Sequence, residues 1–384
     1  MTTWSVVKDD TKEKRPPARY FRYGILASIA LLIISLGVAL VPGTPPKGPE
    51  PAFSERARAS ALAEATDLRA AGGQLADRTT GAERLALLQT VTLLTTQARA
   101  LMTPPGQGPG QLPSKAAAGG SSGTSAAKPS GTPSPAAVPA NSAPASSAAL
   151  AAALSVSGKQ RLADAETADG GMARLLAATG AAQLLQASLL APSTEPAETG
   201  PQATPPPAAD TGTGSCAPSS GNTTLAAALA ITVKTEAETV YGYQVALARL
   251  EGNAARSASE LLARHESVES EAEALSRLHC ANIPPREAGY TLGPLFIDAP
   301  AAGLGGLEAG TLPVYGDLVA LSEGNTRKWA VSGLVAAARR AALWGADPGA
   351  LPGIVVDTAQ LPALPAETAT AAPATPQEPG ENGH

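Results

Sequence analysis

A long amphipathic stretch at residues 223–250, TTLAAALAITVKTEAETVYGYQVALARL, most constrains what this chain can fold into. Its seam residues recur at alternating steps of four and three, which is the pattern of a helix that packs nearly parallel to its neighbours in a bundle. The seam comprises Leu229, Val233, Glu236, Val240, Tyr243, Leu247 and Leu250. Burying the carboxylate of Glu236 without a partner would cost several kcal/mol. The pattern therefore predicts a helical bundle with a cation, a metal or several hydrogen-bond donors beside Glu236.

Composition favours an all-α protein and argues against a nucleic-acid partner. Aromatic residues make up only 3% of the chain, so its cores must be built from Ala, Leu and Val, which suits close helix packing. The net charge is −5, and the basic residues are dispersed rather than gathered into a stripe that could neutralise a phosphate backbone. The 38 Gly and 35 Pro residues are concentrated in tracts that do not pack.

Residues 23–42 are predicted to form a transmembrane helix, because residues 25–41 carry no charge and the run approaches the length that spans a bilayer. Basic residues precede this run: Lys8, Lys12, Lys14, Arg15, Arg19 and Arg22. Only Lys47 follows closely, so the positive-inside rule predicts a cytoplasmic tail at residues 1–22 and an extracytoplasmic remainder. The alternative is a cleaved signal peptide with Gly37 and Ala39 at the cleavage spacing, which would make the protein secreted.

Two helical hairpins separated by linkers are predicted after the membrane segment. Ser54 can cap the first helix, and Thr80 with Glu83 has the spacing of a capping box for the second. The predicted segments are a stalk at 43–53, a hairpin at 54–104, a disordered linker at 105–145, a second hairpin at 146–192 and a second linker at 193–221. Short motifs recur between the hairpins, and either duplication or their shared Ala/Leu-rich composition explains the recurrence.

Residues 222–352 are predicted to form a four-helix bundle with one long crossover. Gly252 ends the first helix, and Asn253 can cap a second helix that ends near Cys280. Pro284, Pro285 and Pro294 predict that the crossover is non-helical, and helices at about 301–321 and 325–344 follow it. Two hairpins joined by one long crossover have ferritin-like topology. Residues 353–384 are predicted to be a disordered tail.

Several segments of this bundle resemble a known family. They are TEAETVYGY at 235–243, LEAGT at 307–311, Val314 with Tyr315, and AARRAALW at 337–344. Together they resemble the actinobacterial ferritin-like domain of unknown function over about residues 223–352. The resemblance implies a ferritin-like fold and implies no particular activity.

The chain lacks a complete ligand set for a di-iron centre. Such a centre takes a Glu from each of two helices and a Glu-x-x-His from each of the other two. Glu236 and Glu308 could serve, but His265 follows Leu262 at the required spacing, and the fourth helix contains no Asp, Glu or His. A single zinc or manganese ion on Glu236, His265 and Glu269 is the remaining metal hypothesis. The favoured interpretation is a satisfied polar pair with no metal, no cofactor and no enzymatic activity.

Counting residues along antiparallel helices predicts two buried polar pairs. Glu236 comes level with Val268, less than one turn from His265, so these two side chains are predicted to touch. Glu308 and Arg339 each lie 14 positions from the turn between the third and fourth helices, so they are predicted to pair.

The two cysteines, Cys216 and Cys280, are predicted to form a disulfide. Both would lie in an oxidising compartment, and the two ends of an antiparallel helical hairpin are neighbours. The alternative is two free thiols.

These expectations combine into a functional hypothesis of a cell-envelope interaction or scaffolding protein. The membrane anchor, the tethers and the missing metal ligands favour this hypothesis, and its protein partner is not identified by the sequence. The alternative is a metal-binding or redox ferritin-like protein of the envelope.

Overall fold

The computed structural model describes Ser28, Leu31 and residues 51–102, 143–191 and 224–365. Those ranges contain nine α-helices and no strand, so the predicted all-α class is confirmed. Among the described residues, no helix is both long enough and apolar enough to cross a membrane. The chain divides into two compact units, Met1–Pro51 and Ala52–His384, and all nine helices belong to the second.

Most of the predicted membrane helix and linkers lie outside the described residues. The membrane segment at 23–42 is described only at Ser28 and Leu31, and the linker at 105–145 only at its last three residues. The linker at 193–221 and residues 366–384 of the predicted tail lie wholly outside. The predictions for these segments stay predictions.

Four helices form two hairpins that pack on each other. They are α1 (Phe53–Ala76), α2 (Gly81–Met102), α3 (Ser147–Thr167) and α4 (Gly170–Leu190). Helix α1 pairs with α2 and α3 pairs with α4, while α1 also packs on α3 and α2 on α4. Glycines let α3 and α4 approach closely, because a Cβ atom on Gly180 would lie 2.7 Å from the carbonyl oxygen of Gly158.

The predicted cap residue Ser54 has a different role. Helix α1 begins before it, with Ala52 at the N-cap position. The Ser54 hydroxyl donates to Asp169 Oδ2 at 2.7 Å and accepts from the Asp169 backbone N–H at 2.9 Å. Because Asp169 is the N-cap residue of α4, Ser54 ties the start of one hairpin to the middle of the other.

The remaining helices form a helical bundle. They are α5 (Leu225–Leu247), α6 (Gly252–Leu278), the single-turn α7 (Leu295–Asp298), α8 (Pro300–Leu321) and α9 (Gly324–Leu343). Helices α5 and α6 form one pair, α8 and α9 form the other, and α5 packs on α8. The Thr224 hydroxyl caps α5 by accepting from the Ala227 backbone N–H at 3.2 Å.

Three local predictions in the bundle were wrong. Gly252 does not end the first helix: α5 ends at Leu247, and Gly252, with a positive φ of 58°, begins α6. Asn253 therefore lies inside α6, whose N-cap residue is Glu251. The crossover is not entirely non-helical, since α7 follows Pro294 directly. The Pro294 carbonyl accepts from the Ile297 N–H at 2.9 Å, and a proline can stand at a helix start because its missing N–H is not needed there.

The hairpins and the bundle share one hydrophobic core rather than forming separate domains. One cluster of buried residues joins Leu101, Met172 and Leu176 of the hairpins to Leu229, Leu312, Trp329 and Leu334 of the bundle. Helix α4 packs against both α8 and α9. At this junction the buried Arg327 side chain donates from Nε to the Ser322 carbonyl and from Nη1 to the Ala168 carbonyl, each at 2.6 Å.

Residues 345–365, which we call the strap, cross from the end of α9 to the hairpins. The sequence predicts disorder from residue 353, but the described part of that tail packs on the protein. Leu361 is only 6% exposed, and Arg99 of α2 donates to three carbonyls of the strap. The Pro- and Thr-rich composition predicts disorder and gives no sign of the burial of Leu361 or of the hydrogen bonds from Arg99.

Candidate functional site

A cluster of charged side chains lies at the centre of the bundle, and each of its four long helices supplies one member. Glu236 comes from α5, His265 from α6, Glu308 from α8 and Arg340 from α9. The first three side chains are fully buried, and Arg340 is 7% exposed. We call these four residues the charged quartet.

His265 bridges the two carboxylates of the quartet. Its Nδ1 lies 2.7 Å from Glu236 Oε2, and its Nε2 lies 2.8 Å from Glu308 Oε1. The structure therefore brings Glu236 and His265 together, as residue counting predicts. An ionised carboxylate accepts hydrogen bonds and does not donate them, so both ring nitrogens must carry a proton. His265 is an imidazolium in this arrangement.

Arg340 also binds the carboxylate of Glu308. Its Nε lies 2.9 Å from both Oε1 and Oε2 of that carboxylate. The predicted partner, Arg339, is a half-buried neighbour outside the quartet, and burial lowers its pKa. The prediction of Arg339 was wrong by one residue, because consecutive residues on an α-helix point about 100° apart and only one of the two arginines faces Glu308.

The quartet is electrically neutral. Glu236 and Glu308 each contribute one negative charge, and the His265 imidazolium and the Arg340 guanidinium each contribute one positive charge. Buried charges are tolerated when they are paired and hydrogen-bonded in this way.

Two tyrosines and a tryptophan complete the hydrogen bonds of the carboxylates. Tyr315 donates to Glu236 Oε1 at 2.6 Å, and Tyr243 donates to Glu308 Oε1 at 2.7 Å. Trp344 Nε1 donates to the Tyr243 hydroxyl at 2.8 Å. Each tyrosine thus binds the glutamate of the opposite helix, which makes α5 and α8 antiparallel at this level.

The spacing of residues along the sequence marks these two tyrosines. Tyr243 follows Glu236 by seven residues on α5, and Tyr315 follows Glu308 by seven residues on α8. Two turns of helix separate residues at that spacing, so both pairs lie on one face. When two such helices pack antiparallel, each tyrosine comes level with the other helix's glutamate.

The pKa values of these groups follow from burial and from the neighbouring charges. Burial alone would raise the pKa of Glu308, but the charges of Arg340 and His265 outweigh it and lower the pKa to about 2. Burial would lower the pKa of His265, yet the charge of Glu308, joined by that of Glu236, raises it despite the opposing charge of Arg340. Burial and a facing carboxylate both raise the pKa of each tyrosine, which keeps their hydroxyls protonated as donors.

The quartet does not fit a metal ion. Both His265 nitrogens are engaged by carboxylates, and both Glu308 oxygens are bound by Arg340. Glu269, the third candidate ligand, is buried and is paired with Arg286, whose Nε lies 2.9 Å from Glu269 Oε1. Within the part of the chain that the structure describes, no three His, Cys, Asp or Glu side chains are placed to hold a metal.

The predicted disulfide stays a prediction, because Cys216 lies outside the described residues. Cys280 follows the end of α6 and has a positive φ of 55°.

We expect intact mass and thiol labelling without reductant to find no alkylatable cysteine in the denatured protein. Two alkylatable cysteines would exclude the bridge.

Comparison with known proteins gives a family match over the region that contains the quartet. No curated protein and no solved structure matches the chain. The quartet, both tyrosines and Trp344 all lie within residues 228–356, which match the family model of a domain of unknown function (DUF4439).

Proposed function

We propose that this chain is a single-pass, membrane-anchored protein of the cell envelope that acts as an interaction or scaffolding module and is not an enzyme. We also propose that residues 222–352 form a ferritin-like four-helix bundle. The pairing of α5 with α6 and of α8 with α9, joined by one long crossover, supports this topology.

The observation that carries the proposal is the position of Arg340. In a carboxylate-bridged di-iron bundle all four helices supply metal ligands. Here α5, α6 and α8 supply Glu236, His265 and Glu308, but α9 supplies a guanidinium that binds Glu308 through both oxygens. The positive charge that a metal would bring is already supplied by two side chains. A centre filled in this way supports the stability of the bundle rather than redox chemistry.

The membrane anchor rests on the uncharged run at residues 25–41 and on the basic residues before it. We expect the full chain to sediment with the membrane fraction and to resist extraction by carbonate, which removes peripheral proteins. N-terminal sequencing separates an uncleaved anchor from the alternative of a secreted protein, which would begin near residue 40.

Metal analysis tests the proposed function of the bundle. The purified chain is incubated separately with Fe²⁺, Mn²⁺ and Zn²⁺, freed of unbound metal and subjected to elemental analysis, with the Glu236→Ala variant as control. We expect well below one metal ion per chain and no difference between the two proteins. A stoichiometric metal that is lost in Glu236→Ala would overturn the proposal.

That overturning result would support the alternative of a metal-binding or redox ferritin-like protein. The observation in favour of this alternative is the position of Glu269, which lies one helical turn after His265. Burial raises the pKa of this carboxylate, opposed by the charge of Arg286. Loss of the metal in Glu269→Gln as well would assign the single-metal set of Glu236, His265 and Glu269.

A further inference from the structure

We draw no further inference here: the strongest candidate, the exposed stripe of small residues that Ala302, Gly306 and Gly310 form along α8, carries no proposal because nothing in the described part of the structure shows what covers it.

Discussion

The carboxylates at the centre of the bundle are bound by two cations that belong to the chain itself. Glu308 is bound by both cations, whereas Glu236 is bound by His265 and by the Tyr315 hydroxyl. Loss of either cation would leave a buried charge without compensation. Removing one partner of a buried pair is more destabilising than replacing both, because the remaining charge keeps its desolvation cost.

Arg340→Ala should therefore destabilise the protein strongly. Glu308 would keep His265 and Tyr243 but lose the guanidinium on both of its oxygens, and we expect the free energy of unfolding to fall by about 3–5 kcal/mol. Arg339→Ala is the matched control on the same helix and should change it by less than about 1 kcal/mol. Chemical denaturation measures both. Equal losses for the two variants would contradict the assignment of Arg340 as the partner of Glu308.

The quartet should also give the protein a pH optimum of stability. The pKa of His265 is raised above its ordinary value of 6.5, so the contribution of the imidazolium is complete below about 6.5 and is lost as the pH rises through the folded pKa. The pKa of Glu308 is lowered from 4.5 to about 2, so its contribution is present above 4.5 and is lost as the pH falls towards 2. Stability should therefore be greatest between about pH 4.5 and 6.5 and should fall as the pH rises from 6.5 through the folded pKa of His265.

Denaturation at a series of pH values measures this profile. The groups that face His265 are Glu236, Glu308, Arg340 and the ring of Tyr243. His279→Asn should keep the alkaline loss, because His279 lies elsewhere against Thr326 and burial lowers its pKa. A folded pKa of His265 below 6.5 in an NMR titration would contradict the protonated bridge.

At the scale of the elements, glycines decide how closely helices pack. A Cβ atom at position 180 would lie 2.7 Å from the Gly158 carbonyl oxygen and 2.8 Å from Leu162 Cδ2, both on α3. Real Cβ atoms do not approach backbone oxygen so closely. The crossing of α3 and α4 therefore requires glycine at this position.

Gly180→Ala should destabilise the second hairpin by about 1–3 kcal/mol, because α4 must move away from α3 to admit the methyl group. Gly310→Ala on α8 is the matched control. That position is exposed and has no neighbouring atom within 4 Å of the added Cβ. There the change should stabilise the protein by about 0.4–1 kcal/mol, since it restricts the unfolded chain. Thermal melts of both variants test the pair, and a stabilised Gly180→Ala would exclude the close crossing.

At the scale of the whole molecule, the hairpins and the bundle should unfold together. Each part covers apolar residues of the other in their shared core, so unfolding of one part would expose apolar surface on the other. The hairpin helices contain no Trp or Tyr, whereas Trp329 and Trp344 lie in the bundle, so tryptophan fluorescence in a Trp4→Phe background reports the bundle alone. Far-UV circular dichroism reports all helices.

We expect the fluorescence and circular dichroism transitions to coincide in urea. Arg327→Ala should lower the common midpoint, because it removes charged hydrogen bonds to the Ala168 and Ser322 carbonyls at the junction. A loss of ellipticity at lower urea than the fluorescence change would show that the hairpins unfold independently.

The sequence by itself determined the helical class and the first members of the site. Hydrophobic periodicity is a local property, so it marks helices without reference to the rest of the chain, whereas the predicted caps at Ser54 and Asn253 were wrong. Glu236 stands out because a carboxylate interrupts an apolar seam, and its contact with His265 follows from counting along two helices joined by a short turn. These inferences need only short-range geometry.

Only the tertiary structure decided which arginine faces Glu308, that the hairpins share a core with the bundle, and that the strap packs. The choice between Arg339 and Arg340 depends on the rotation of α9 about its axis, which packing sets and residue counting does not resolve. The shared core depends on which apolar faces meet, and Ala- and Leu-rich faces are alike in sequence. The strap is held by the buried side chains of Leu351 and Leu361 and by hydrogen bonds to its carbonyls, and the carbonyl contacts leave no mark on the sequence because every residue possesses a carbonyl.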